Sequence, residues 1–215
     1  MLGTQEHEAM ATKKAGRGAT RKNDPEGVRS RFLDVAADLF QNQGYCASGM
    51  QLIFEQAGVT AGAFYHHFES KKDLALAVIE ERVGAEVDKT WMKPIREAST
   101  TLEGVTKAFK SIAAQLEERR AVRGCPLNNL TLELAFADAD FQASLAQIFD
   151  RWQQEIEAKL KHDMDEGSLA RAKPGPLAGY IIAVYSGAMA LCKVHQSSAP
   201  LLQCLTELRQ RLAAP

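Results

Sequence analysis

The chain has 215 residues, of which 46% are hydrophobic and 25% charged, an ordinary globular balance that excludes a wholly disordered protein. Its 26 Lys and Arg nearly cancel 27 Asp and Glu, for a formal net charge of −1, so total charge singles out no class of partner. Domains centre near ~100–150 residues, and this length fits one sizeable domain with a smaller one attached.

Residues 1–25 are rich in Gly, Thr, Ala, Lys and Arg and carry no hydrophobic period, which reads as a flexible basic arm bearing Lys13, Lys14, Arg17, Arg21 and Lys22. From Glu26 the pattern is helical almost to the end, without a convincing alternating strand, so the expected class is all-α with about nine helices. Phe32, Val35, Ala36, Leu39 and Phe40 share one face of a helix that stops at Gly44. A short helix over about 49–57 ends at Gly58, and another spans about 60–67. Ser70 caps a fourth, which has Asp73 in its first turn and is expected to end before Pro94. Leu102, Val105, Phe109, Ile112 and Leu116 form the next stripe, and a shorter apolar segment covers 125–137. Phe141, Leu145, Ile148, Phe149, Trp152, Ile156 and Leu160 stripe a long helix that ends by Gly167. The uncharged stretch 174–192 falls just short of the ~20 residues that span a bilayer. Its Pro-Gly-Pro opening, Gly179, Ser186 and Gly187 fit better a helix buried in protein, with a second subunit supplying the missing cover. Leu201, Leu205, Leu208 and Leu212 stripe the last helix.

Cys46, Cys125, Cys192 and Cys204 stand far apart, without metal-ligand spacing or the density of a disulfide scaffold. His66 and His67 diverge by roughly 100° on a helix, with no third ligand near. Neither metal nor cofactor is expected. The first 26 residues hold no apolar run resembling a signal peptide, so the expected location is the cytoplasm, with reduced thiols and no membrane partner.

The segment 50–68, MQLIFEQAGVTAGAFYHHF, carries the functional signal. Leu52, Ile53 and Ala57 form the buried side of a short helix, and Gly58 supplies the left-handed residue of a sharp turn. Val59 plugs the angle and Thr60 caps the next helix. Short helix, Gly turn and capped second helix make a helix-turn-helix, whose second helix enters the DNA major groove.

Gly44-Tyr45, Ile53, Ala57-Gly58-Val59-Thr60, Gly62, Phe64-Tyr65-His66-His67-Phe68 and Ser70-Lys71-Lys72-Asp73-Leu74 together resemble the TetR family of one-component transcriptional regulators. The resemblance implies an operator-binding homodimer that a small-molecule effector releases, and no enzyme. It implies three parts: the arm 1–25, a DNA-binding domain 26–76, and an effector-binding and dimerisation domain 77–215. By motif position it places Ser48 at the start of the second helix and Gln51 on its DNA side. Thr60, Ala61 and Gly62 open the recognition helix, Tyr65 and His67 occupy DNA-contact positions, and Lys71 reaches phosphate. Two residues depart from the pattern: Gly49 stands where Ser or Thr is usual, and Ala61 where a polar residue is frequent. The helix-turn-helix is not itself basic, so phosphate attraction falls largely to the arm together with Lys71 and Lys72.

For the effector site the candidates are Trp91, Phe109, Trp152 and Tyr180, aromatics in the larger bundle, with Asn128 and Asn129, amides in a largely apolar helix. Ala178, Ile182, Tyr185 and Met189, with Leu201, Leu205 and Leu208, are the candidate dimer contacts, the last two helices forming a four-helix bundle with their mates. Cys125 opens a helix before Pro126, where amides and dipole favour a thiolate. This Gly-Cys helix start resembles that of family members responding to thiol-reactive electrophiles; the alternative is a small buried apolar side chain. A thiol enzyme built on Cys125 lacks any recognisable His or acid arrangement, and a DNA-binding protein without a ligand leaves the bundle after Leu76 unexplained.

Overall fold

The structure is a computed structural model describing residues 24–119 and 121–213, so the basic arm lies outside the described residues. Among those residues nine helices and no strand are found. Helix α1, Pro25–Gln43, opens on Asp24, whose carboxylate accepts from the Gly27 amide, and closes at Gly44 with φ 88°. Helix α2, Met50–Ala57, ends at left-handed Gly58 (φ 62°). Helix α3, Ala61–Phe64, is capped by the Thr60 hydroxyl. These three fold around Phe32, Phe54, Phe64 and Phe68, with Phe64 5.3 Å from Phe32 edge-on and 5.5 Å from both Phe54 and Phe68. A fully buried aromatic of this kind contributes about 1.5–3 kcal/mol, so the cluster fixes the angle between α2 and α3.

Helix α4 starts at Lys71 behind a Ser70 cap and runs unbroken to Glu97. It carries Pro94, where the sequence reading ends it. The reason is register: two wide-turn segments, Ile79–Gly84 and Asp88–Met92, interrupt the α pattern, and the Lys93 amide bonds to the Asp88 carbonyl five residues back. The widened turn just before Pro94 absorbs the ring that would clash in a regular helix. Because α4 continues through residues 76 and 77, the backbone has no break there; one helix serves both halves of the molecule.

Helices α5 (Thr101–Glu118), α6 (Pro126–Leu134), α7 (Ala139–Asp165), α8 (Pro174–His195) and α9 (Ala199–Leu212) complete the bundle. Helix α8 packs on α7 and α9, and α9 also on α5. It is apolar and long enough to cross a membrane, with mean hydropathy 1.6, yet one side of it is buried in this bundle. The centre of the bundle is a second aromatic cluster, Trp91 from α4, Trp152 from α7 and Tyr185 from α8, with ring centroids 4.9–5.6 Å apart.

Candidate nucleic-acid interface and ligand cavity

The helix-turn-helix presents a mostly uncharged face. Thr60, Ala61 and Gly62 lie exposed at the start of α3, with the Thr60 hydroxyl accepting from the Ala63 amide (3.3 Å). Tyr65, one turn on, is 64% exposed, with its ring edge-on to Phe64 at 5.2 Å. His67 is half-buried beside Phe68. Gln51 is exposed on α2 and donates to Glu55 (3.0 Å). Gly49 caps α2 without any side-chain acceptor, which leaves first-turn amides open to an anion such as a backbone phosphate.

Two expected contacts are occupied otherwise. Ser48 is fully buried: its hydroxyl donates to the Gly44 carbonyl (2.6 Å) and accepts from Gln43 (3.3 Å), so it ties the α1–α2 loop and does not face solvent. Lys71 donates to the Tyr45 carbonyl (2.6 Å) and lies 4.2 Å from the Tyr45 ring centre, and burial lowers its ammonium pKa. Lys72 pairs with Asp138 (2.7 Å) and Asp140 (2.6 Å), and Arg29 with Glu81. Lys71, Lys72 and Arg29 are thus engaged by groups of the protein itself.

A cavity of about 270 Å³ lies between α4, α5, α6, α7 and α8. Trp91, Ile112, Leu116, Cys125, Leu127, Trp152, Tyr185 and Met189 form its buried wall, while Glu86, Lys89, Gln115 and Arg119 lie at its more exposed side. Cys125 is the buried N-cap of α6, following Gly124 in left-handed backbone (φ 83°). Burial pushes its thiol above the ordinary value of 9.0, against the Asn128 amide, the Tyr185 hydroxyl and the Leu127 amide, which favour the thiolate. The helix start favours the thiolate, but the Cys125 side chain makes no cap hydrogen bond there and desolvation outweighs that pull. Tyr185 is itself pushed well above its ordinary value, first by burial and then by Cys125.

Of the effector candidates, Trp91, Trp152 and Cys125 line this cavity; the others do not. Phe109 is fully buried behind it, edge-on to Trp91 (5.5 Å) and Tyr185 (6.0 Å). Asn128 accepts from Ser186 (3.3 Å). Asn129 donates to Gln41 (3.1 Å) and to the Arg123 carbonyl (2.9 Å), satisfying its amide without a ligand. Tyr180 stands 46% exposed on the outer side of α8 under Arg211. The dimer candidates also change sides. Ala178, Ile182, Tyr185, Met189, Leu201, Leu205 and Leu208 are all buried within the protomer, because the aromatic cluster and α9 claim that face. The outward stripe of α8 is instead Tyr180, Ala183, Val184, Gly187, Ala190, Leu191 and Val194, with Leu191 50% and Val194 77% exposed. Tyr185 and Met189 as cavity residues escape sequence reading, since in a helix apolar all round the period does not say which face is inside.

The cavity adjoins the helix-turn-helix through the α6 start. Gln41 of α1 donates to the carbonyls of Gly124 (2.9 Å) and Arg123 (3.4 Å), and Arg123 pairs with Asp38 (3.2 Å). At the other end of α6, Glu133 accepts from the amides of Tyr45 (2.9 Å) and Cys46 (2.7 Å).

Comparison with known proteins agrees with this architecture. Residues 32–78 match the family described as bacterial regulatory proteins, tetR family, and residues 101–207 the LmrA/YxaF-like transcriptional regulator C-terminal domain. The chain is 30% identical over 180 residues to an HTH-type transcriptional regulator in the lacX 3′ region of Lactococcus lactis subsp. lactis, covering 79% of this chain and 85% of that protein. It is 27% identical over 186 residues to the HTH-type transcriptional repressor DhaR of Mycobacterium sp. (strain GP1), covering 86% and 92%. A TetR transcriptional regulator from Chloroflexus aurantiacus J-10-FL has the same fold, with TM-score 0.79 and 24% identity over 89% of this chain and 98% of that one. A helix-turn-helix on a nine-helix frame, matched in sequence along most of its length, makes this chain a DNA-binding transcriptional regulator belonging to the TetR family.

Proposed function

We propose that the protein is a repressor that binds a palindromic operator as a homodimer and leaves it when a small molecule enters the cavity. In this reading residues 26–76 bind DNA, residues 77–215 bind the effector and dimerise, and the arm 1–25 adds phosphate contacts. The α3 start with Thr60, Ala61, Gly62 and Tyr65 enters the major groove, and the open α2 amides take a phosphate. The outward stripe of α8 pairs with its two-fold mate, which covers Leu191 and Val194.

The observation that carries the reading is the hydrogen bond from Gln41 to Gly124. It joins the recognition domain to the residue preceding a cavity-wall side chain, so any ligand that displaces the α6 start acts on α1. The test is fluorescence anisotropy of labelled DNA from upstream of the protein's own gene, with a metabolite panel added. Release by a compound that also raises the melting temperature supports it; tight DNA binding that no cavity ligand alters refutes it.

An electrophilic effector is a second reading, supported by Cys125 in the cavity wall at the N-cap position of α6. Its raised pKa means such an effector must first be held in the cavity. Loss of electrophile-driven release in Cys125→Ser supports this branch, and equal release in both proteins removes it.

A further inference from the structure

The large apolar side chains left in solvent among the described residues fall in three places. Tyr65 stands on the DNA face. Tyr180, Leu191 and Val194 belong to the outward stripe of α8, and Leu202 follows on α9. The others are Leu132, 89% exposed near the end of α6, and Phe136, 104% exposed in the turn that follows it. Leu132 lies opposite the side of α6 that Leu127, Leu130 and Leu134 bury. Glu133 is engaged by the Tyr45 and Cys46 amides, so no free charge separates the two apolar residues. Along its edge α6 adjoins α8, where Ser186 donates to Asn128 (3.3 Å) and Lys193 to Asn129 (3.3 Å). Ser186 and Lys193 immediately precede Gly187 and Val194 of the stripe, so the two apolar areas lie side by side.

We infer that Leu132 and Phe136 pair with a second copy of this chain, continuing the α8 dimer face towards the DNA-binding domain. This rests on the proposed pairing of α8. A stable interface takes about 800 Å² and roughly 20–30 residues from each partner. The α8 stripe has seven residues, three of them Gly or Ala, and falls short by itself. A fully exposed aromatic adds about 150–250 Å², and Leu132 adds to it. The occupant is a second copy because the remaining exposed large apolar side chains of the bundle lie on α8 and α9, beside this patch, and a two-fold contact is met by the same surface on the mate. The contact also bears on DNA. Glu133, between the two residues in sequence, holds the loop that joins α1 to α2, so pairing here sets the distance between recognition helices that two half-sites require.

Leu132→Ser combined with Phe136→Ser tests this on the full-length protein. Both side chains are exposed in the protomer, so the protomer should fold as before, which circular dichroism and melts at low concentration check. Two-fold symmetry removes each side chain twice, and the dimer dissociation constant is expected to rise at least about 100-fold in sedimentation velocity. Affinity for upstream DNA carrying both half-sites should fall, while affinity for a single half-site stays unchanged. Leu132→Glu combined with Phe136→Glu should give a monomer at micromolar concentration, even where the wild-type dimer is too tight to dissociate. Dimers as strong as wild type in both variants overturn the inference and leave the patch to a different partner. Gly187→Leu separates this failure from failure of the α8 pairing. Dissociation by Gly187→Leu alone removes the α6 contact and keeps the stripe; dissociation by the α6 variants alone keeps the contact and removes the stripe. A wild-type chain that stays monomeric overturns both.

Discussion

Gly187 lies on the outward stripe of α8, and a Cβ added there meets nothing within 4 Å of its own protomer. Judged on the protomer alone, replacing it with a helix former gains about 0.5–1 kcal/mol. In the proposed dimer the neighbours Ala183 and Ala190 are small as well, so this is where two α8 helices approach most closely. A leucine there overpacks the crossing, at about 1–3 kcal/mol per site, and two-fold symmetry introduces it twice. The propensity gain is present in monomer and dimer alike and cancels from the association equilibrium. Gly187→Leu should therefore raise the dimer dissociation constant at least about 25-fold, from ~2 kcal/mol or more of lost association energy, while raising the stability of the dissociated protomer. Sedimentation velocity across a concentration series measures the first effect, and thermal melts at low concentration the second. Gly104→Ala supplies the contrast, because its Cβ would sit 2.9 Å from Ile95 Cδ1, 3.0 Å from Ile95 Cα and 3.2 Å from the Pro94 carbonyl. That backbone cannot yield, so this substitution destabilises the protomer itself. A Gly187→Leu protein that melts higher and dimerises as before refutes the assignment of the α8 stripe.

Gln41→Ala removes donations to Gly124 and Arg123 and the acceptor of Asn129. At about 0.5–1.5 kcal/mol per bond, discounted for partial exposure to roughly 1–2 kcal/mol together, the ligand-induced change in operator affinity should shrink about 5–30-fold. By linkage the DNA-induced change in ligand affinity shrinks equally, and anisotropy with calorimetry reads both; an unchanged ratio shows that coupling runs elsewhere. Tyr65→Ala should weaken operator binding more than random-duplex binding, whereas deleting residues 1–22 should weaken both alike and flatten the salt slope by ~0.9 per lost phosphate contact. Competition assays at several salt concentrations separate the two, and equal losses from Tyr65→Ala mean that it only positions the backbone. The thiol of Cys125 and the phenol of Tyr185 have folded pKa values above their unfolded ones, so their stabilising contribution is complete below pH 9.0 and fades as pH rises through the raised values. Peptide mapping should accordingly find Cys125 alkylated by iodoacetamide more slowly in folded than in unfolded protein at pH 8, and comparable rates would contradict its burial.

Where structure is decided within a few residues, the sequence was readable. Gly44, Gly58 and Gly167 end or follow their helices in positive-φ backbone, and Thr60 and Ser70 cap the helices that follow them. Pro94 was misleading because the rule that proline stops a helix assumes α register, and α4 has left that register by Asp88. Motif position marks Ser48 and Lys71 as DNA-side residues, but their side chains answer to Gly44 and Tyr45, whose carbonyls a motif does not encode. In α8 the difficulty was symmetry. Both faces are apolar, and the choice between them was made by Trp91 and Trp152, residues distant in the chain that needed Tyr185 and Met189 for their enclosure.

That choice of face has a mechanical consequence for the proposed regulation. With Tyr185 and Met189 turned inward, α8 presents its aromatic to the effector and its small residues to the partner, so one helix senses both. Helix α6 is fastened to the helix-turn-helix at its two ends: by Gln41 and Asp38 to the Arg123–Gly124 segment, and by Glu133 to the Tyr45 and Cys46 amides. Lys72, bridging Asp138 and Asp140, ties α4 to the start of α7 beside it. A plate held at both ends cannot shift at one without turning the domain attached to it. An operator of two half-sites requires a fixed spacing between the paired recognition helices, so a small rotation of each α1 is amplified into misregister at the DNA. Operator release on this account needs no large opening of the cavity, only a ligand that no longer lets the α6 start lie where Gln41 can reach it.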